Sequence, residues 1–254
     1  MSLGTEKPLA FAAMVLAVIA GFLGLDHFAG PGGQVAIGAV TWLILIGACM
    51  RLEPEERVRV LLVVVVATIA EVLGSIVLGA YTYRLENLPA FVPPGHGLVY
   101  LAGLRISQSA PVRRHHRAFL GLTLAFAVTW CIAGLVALGR VDVLGALAGV
   151  LLFYAIARGS RPTLYAGVFL VVAFLEIYGT SVGAWHWAEV VPGSPIRAGN
   201  PPSGIASVYV LFDIAAIRLA PRLGAVLAGV RRLAGDGFAR ADRGEDLVGD
   251  GLAG

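Results

Sequence analysis

Runs of about 20 apolar residues recur along this chain, and that length is what a helix needs to cross a bilayer core of about 30 Å. They fall near 8–26, 33–50, 58–80, 95–112, 118–139, 141–157, 163–185 and 202–220, separated by short connections rich in Gly, Pro and charge. Only 14% of the residues are charged against 58% hydrophobic, too little charge to solvate a soluble domain of this size. The expected fold class is therefore all-α integral membrane, with about eight transmembrane helices. The apolar stretch behind Lys7 is long for a signal peptide and lacks a clean small-x-small cleavage site, so it reads as a retained first helix.

The basic residues give an orientation. With the N-terminus in the cytoplasm, fourteen of the nineteen Lys and Arg fall on the inner side, from Lys7 to Arg243. Only Arg84, Arg140 and Arg197 fall outside, and Arg105 and Arg218 lie within spans. The reverse orientation would invert that bias. The expected location is the cell inner (plasma) membrane, multi-pass, with both termini cytoplasmic. Beyond Pro221, residues 221–234 suit a short amphipathic segment on the inner surface, and 235–254 a polar, Gly-rich disordered tail.

Two passages match each other. Glu71-Val-Leu-Gly74-Ser75 leads through Gly79 to Tyr81-Thr82-Tyr83, and Glu176-Ile-Tyr-Gly179-Thr180 leads through Gly183 to Trp185-His186-Trp187. Each is followed by a double proline, Pro93-Pro94-Gly95-His96 and Asn200-Pro201-Pro202-Ser203-Gly204, and then by a span holding Val-Tyr, at Tyr100 and Tyr209. The halves are thus expected to be two parallel four-helix repeats, residues 1–112 and 113–220, because four helices per half is an even number. Glu71 lies 13 residues past Val58 and Glu176 13 past Thr163. At 1.5 Å per residue both sit roughly 20 Å from the inner face.

A carboxylate in hydrocarbon costs several kcal/mol unless it is paired, protonated or hydrated. Glu71 and Glu176 are therefore candidates to give or take a proton, with a structural hydrogen bond as the alternative. Arg105 and Asp213 are expected near the midplane, with Asp213 or Glu71 as the partner of the arginine. His96 opens span four where the second half has Ser203 or Gly204, a divergence that suggests specialisation. Tyr81, Tyr83, Trp185 and Trp187 suit an outer aromatic belt or the walls of a cavity. The glycines read as small-xxx-small helix packing, Ser75 with Gly79 and Gly179 with Gly183. On a continuous helix Glu176, Gly179, Thr180, Gly183 and Trp187 would share one face.

The candidate site lies between spans three, four, seven and eight. Its expected catalytic residues are Glu71, Glu176, His96 and Asp213. Arg105, Tyr81, Tyr83, Tyr100, Trp185, Trp187, Asn200 and Tyr209 are the expected substrate-binding residues. His27, His96 and His186 all fall near the outer face, but none has the spacing of a compact helical metal motif, and no metal is assigned. Cys49 and Cys131 sit in separate apolar segments without a CxxC pair.

No P-loop, dinucleotide fingerprint or HExxH occurs, and Lys7 is the only lysine, which excludes a retinal Schiff base within a span. Pro93-Pro94-Gly95-His96 shares three residues with the core of lipid phosphatases but lacks the flanking Lys, Arg and second His of that chemistry. No cofactor is expected. The pattern Glu-x-x-Gly…Gly-x-[Tyr/Trp]-x-[Tyr/Trp] with a Pro-containing loop resembles segments of membrane carotenoid hydratases and lycopene cyclases. The likeness covers about 30 residues in each half, with Pro-Pro-Gly-His and Pro-Pro-Ser-Gly in place of the acidic proline motif of the cyclases. It implies hydrophobic, isoprenoid-like substrates.

Three functions follow as expectations. The first is an enzyme doing acid–base chemistry on a lipid or isoprenoid. The second is a proton- or ion-coupled transporter of a small solute, and the third an accessory subunit whose polar residues hold helices together. The expected partners are membrane lipids and a hydrophobic or small-molecule ligand, not nucleic acid. A homo-oligomer or a larger membrane complex stays open.

Overall fold

A computed structural model of the protein describes residues 7–224. The expected segment 221–234 lies mostly outside the described residues, and the tail 235–254 wholly so. The architecture is nearly all helical. In chain order the helices are α1 (Pro8–Asp26), α2 (Pro31–Cys49), α3 (Pro54–Glu71), α4 (Val92–Gln108), the short α5 (Ala110–Arg114), α6 (His116–Val136), α7 (Val143–Arg158), α8 (Pro162–Ser181) and α9 (209–224). Pro8, Pro31, Pro54 and Pro162 each occupy the first helical position, where a missing N–H costs nothing and the fixed φ suits the helix.

Among the described residues, five helices are long and apolar enough to cross a membrane: α1, α2, α3 with its continuation to Val77, α6 and α8. The segments α4 and α7 are shorter. Large apolar side chains such as Leu43, Val65, Leu122 and Val150 are exposed on the outside of the bundle. An aqueous surface would not tolerate so many, whereas lipid would. Inside, α4 and α8 cross at the centre and are buried along most of their length. Gly103 and Gly167 set their separation, since a Cβ on Gly167 would lie 2.8 Å from the Gly103 carbonyl.

Several expected span ends move inward. Beyond Glu71 the third helix widens into a π turn over Val72–Val77 and stops there, and α8 stops at Ser181. The last span begins with a 3₁₀ turn, Ile205–Val208, before α9. Gly79 and Gly183 are not helix-packing residues. Both have positive φ (63° and 73°) just past a helix end, with nothing near an added Cβ, so they turn the chain.

Each turn leads into a three-residue strand, β1 (Tyr81–Tyr83) and β2 (Trp185–Trp187). The two strands pair antiparallel, with Tyr81 opposite Trp187, Thr82 opposite His186 and Tyr83 opposite Trp185. Trp187 and Gly183 therefore leave the α8 face that the sequence pattern suggested. Spacing by two on a strand sends both aromatics of each pair to one side.

Two buried aspartates fix the loops on the strand side. Asp26 accepts from Gln34 Nε2 at 2.8 Å, and Gln34 in turn accepts from Asn87. Asp142 caps α7 through Gly145 N and also accepts from Gly199 N and from the backbone and hydroxyl of Ser203.

Candidate functional site

Both glutamates are buried, and each is held by the aromatic pair that follows it. Glu71, the last residue of α3 before the π turn, accepts on Oε2 from the hydroxyls of Tyr81 (2.6 Å) and Tyr83 (2.7 Å). His96 Nε2 lies 3.1 Å from Glu71 Oε1. With Glu71 ionised the carboxylate can only accept, and the imidazole then donates from Nε2. Glu176 on α8 accepts on Oε2 from the indole N–H groups of Trp185 and Trp187, each at 3.1 Å. Among the described residues, no hydrogen bond reaches Glu176 Oε1.

The glycines three residues after each glutamate explain the geometry. A Cβ at Gly74 would come within 2.9 Å of the Tyr81 ring, and a Cβ at Gly179 would overlap the Trp185 ring. Only a glycine there lets the aromatic fold back over the helix end and point its donor at the carboxylate. The spacing Glu-x-x-Gly…Tyr/Trp is therefore a seat for an aromatic donor rather than a helix–helix contact.

Glu71, Glu176 and His96 line a single cavity of about 320 Å³. Its floor and walls are apolar: Ile19, Phe22 and Leu23 from α1, Val99 from α4, Leu175 from α8, and Phe212 from α9. Tyr81, Tyr83, Trp185, Trp187 and Tyr209 complete it. Tyr81 packs at a tilt on Trp187 with ring centroids 4.5 Å apart, and Tyr209 packs at a tilt on His96 at 5.3 Å. The aromatics thus face the cavity and the carboxylates, instead of forming a belt toward lipid.

The chain matches no family model, no curated protein and no solved structure.

Four of the expected site residues lie elsewhere. Arg105 is in the last turn of α4, because that helix ends at Gln108 rather than 112. It reaches Glu56 at the start of α3 (3.5 Å) and Gln108 (2.6 Å), and bonds neither Asp213 nor Glu71. Asn200 is on the strand-side loop, accepting from Trp187 N and touching His186. Tyr100 and Asp213 are one helical turn beyond His96 and Tyr209 respectively, behind the cavity wall. Among the other histidines, His27 bonds the Val182 carbonyl and His186 meets Arg140 and Asn200, so only His96 joins the glutamates. Among the described residues, no three His, Cys, Asp or Glu side chains gather as a metal-holding group.

Sequence reasoning missed Asp26 and Asp142. The signal for Asp142 was present, as an Asp directly before an apolar run is a helix N-cap. Sequence reasoning also left out Phe212, which α9 turns into the cavity beside Tyr209.

Proposed function

We propose that this chain is a multi-pass membrane enzyme that does acid–base chemistry on the unsaturated hydrocarbon of a lipid or isoprenoid. One observation carries the reading. Two buried carboxyl groups line one apolar cavity, and they are bonded unequally. Glu71 receives two hydroxyl donors on one oxygen and meets His96 Nε2 on the other, which suits a carboxylate. Glu176 receives two N–H donors on one oxygen and leaves the other free, which suits a carboxylic acid able to donate its proton.

In this reading Glu176 protonates one carbon of a C=C bond. Its O–H breaks, a C–H forms, and the neighbouring carbon becomes a cation. The faces of Tyr81, Tyr209, Trp185 and Trp187 stabilise that cation while it lasts. It is discharged by loss of an adjacent proton to the Glu71–His96 pair, or by water, whose surplus proton goes to the same pair. Either way, the proton given by Glu176 is matched by one gained at Glu71–His96. The apolar walls select a hydrophobic substrate, in keeping with the resemblance to carotenoid hydratases and cyclases.

The same reading takes the bundle as two parallel repeats. The antiparallel pairing of β1 with β2 supports it, because Thr82 and His186, which correspond in the two passages, face each other at the centre. The matched seating of Tyr81 on Gly74 and Trp185 on Gly179 supports it too. The weight of basic residues supports eight spans in an inner membrane, with both termini cytoplasmic and the cavity toward the outer half.

The test is the lipid and pigment profile of cells expressing wild type, Glu71→Gln or Glu176→Gln. The expected result is loss of one product in both variants, with turnover down about 10²–10⁴-fold for Glu176→Gln. An unchanged profile would remove the proposal.

A further inference from the structure

Behind the cavity wall the structure holds polar groups with no partner. Among the described residues, the buried side-chain atoms without a hydrogen bond include Tyr100 OH, Asp213 Oδ2 and Arg59 Nε. Tyr100 and Asp213 are each only 1% exposed. His96 on α4 and Tyr209 on α9 face each other with ring centroids 5.3 Å apart. Tyr100 is four residues past His96 and Asp213 four past Tyr209, about one helical turn along each helix. Asp213 is the foremost charged neighbour of the Tyr100 hydroxyl. The charged groups within electrostatic reach of the Tyr100 hydroxyl are Asp213, Arg59, Arg161 and Glu56, the last three from the bundle end opposite the strands.

An acid and a phenol left bare in a protein interior cost several kcal/mol. Apolar packing would be cheaper, so such groups mark bound water, which needs polar partners of this kind. We propose that Tyr100 and Asp213 hold a file of water that joins the Glu71–His96 pair to the bundle end carrying Arg59, Glu56 and Arg161. This rests on the acid–base reading for its purpose: the file returns protons from His96, and supplies the water that discharges the cation, from the side opposite the strands. The cavity itself offers water little hold, since its lining is otherwise apolar. Asp213 and Tyr100 are positioning residues for this water and do not touch substrate.

Radiolytic hydroxyl labelling of the protein in lipid nanodiscs, read by mass spectrometry, tests the water file without any substrate. Tyr165 on α8 is the control, equally buried at 1% exposure and with its hydroxyl near Ser160. Bound water labels its neighbours first, so Tyr100 should be modified several-fold faster than Tyr165, and Asp213→Leu should remove that excess. Equal labelling of Tyr100 and Tyr165 in the wild type would overturn the proposal, whether or not any variant folds. If the chain proves not to be an enzyme, the labelling contrast remains, so the two ideas fail separately. With turnover in hand, Asp213→Asn should lower kcat several-fold with KM unchanged, and an unaltered kcat would refute the supply role.

Discussion

The seat that Gly179 gives to Trp185 can be tested by one methyl group. In Gly179→Ala the new Cβ would overlap the indole of Trp185, so the ring must move off the end of α8. Its N–H then loses Glu176 Oε2, a hydrogen bond to a neutral acid worth roughly 0.5–1.5 kcal/mol. Crowding in the packed site costs roughly 1–3 kcal/mol more. Alanine returns at most about 1 kcal/mol through helix propensity. The net loss is about 0.5–3.5 kcal/mol, or a fall in unfolding temperature of roughly 1–14 °C. Gly21→Ala is the control. It sits within α1 with nothing within 4 Å of an added Cβ, so it should leave stability unchanged or raise it slightly. Thermal unfolding of both variants in one detergent, followed by tryptophan fluorescence, makes the comparison. If Gly179→Ala melts with the wild type and keeps its tryptophan spectrum, the account of why Glu-x-x-Gly precedes the aromatic pair is wrong.

Other perturbations separate the cavity from its supports. Tyr83→Phe removes one donor to Glu71 while keeping the ring, so turnover should fall while binding of a hydrophobic ligand is retained; a comparable loss of both would argue that the hydroxyl shapes the cavity instead. Asp142→Asn leaves one acceptor oxygen where four donors converge, and should destabilise by at least about 2 kcal/mol in an unfolding assay. Arg105 and Glu56 should couple to each other in a double-mutant cycle on stability, while Arg105→Gln leaves the product profile unchanged. An altered product profile would bring Arg105 back to the site.

The helices were legible because apolar length and leading prolines are local signals. The pairing of the glutamates with their aromatics was half legible. The matched spacing pointed to Glu71, Glu176, Tyr81 and Trp185 together, but the reason was hidden. Three-residue strands at the end of an apolar run look like more helix, so Trp187 was placed on a helix face instead of a ladder. Arg105 was misplaced for a related reason. A span over 95–112 puts it near the midplane, whereas α4 runs Val92–Gln108 and carries the arginine to the end of the bundle, beside Glu56. Asp213 was put among the catalytic residues because it lies within an apolar span. Which side of a helix faces a cavity depends on neighbours that periodicity alone does not supply. Asp26 ends α1 and Asp142 caps α7; the cap is a local signal, but Arg84, Gly199 and Ser203 reach these aspartates from distant parts of the chain.

The most direct measurement is mass spectrometry of the organic extract from protein purified in mild detergent, comparing wild type with the Glu71→Gln, Glu176→Gln double variant. The account predicts a discrete unsaturated lipid or isoprenoid enriched in one of the two, as substrate held by the inactive pair or product held by the active one. Identical bulk lipid in both would contradict a hydrophobic substrate at the glutamates, and would move the cavity toward transport of a polar solute or a purely structural role.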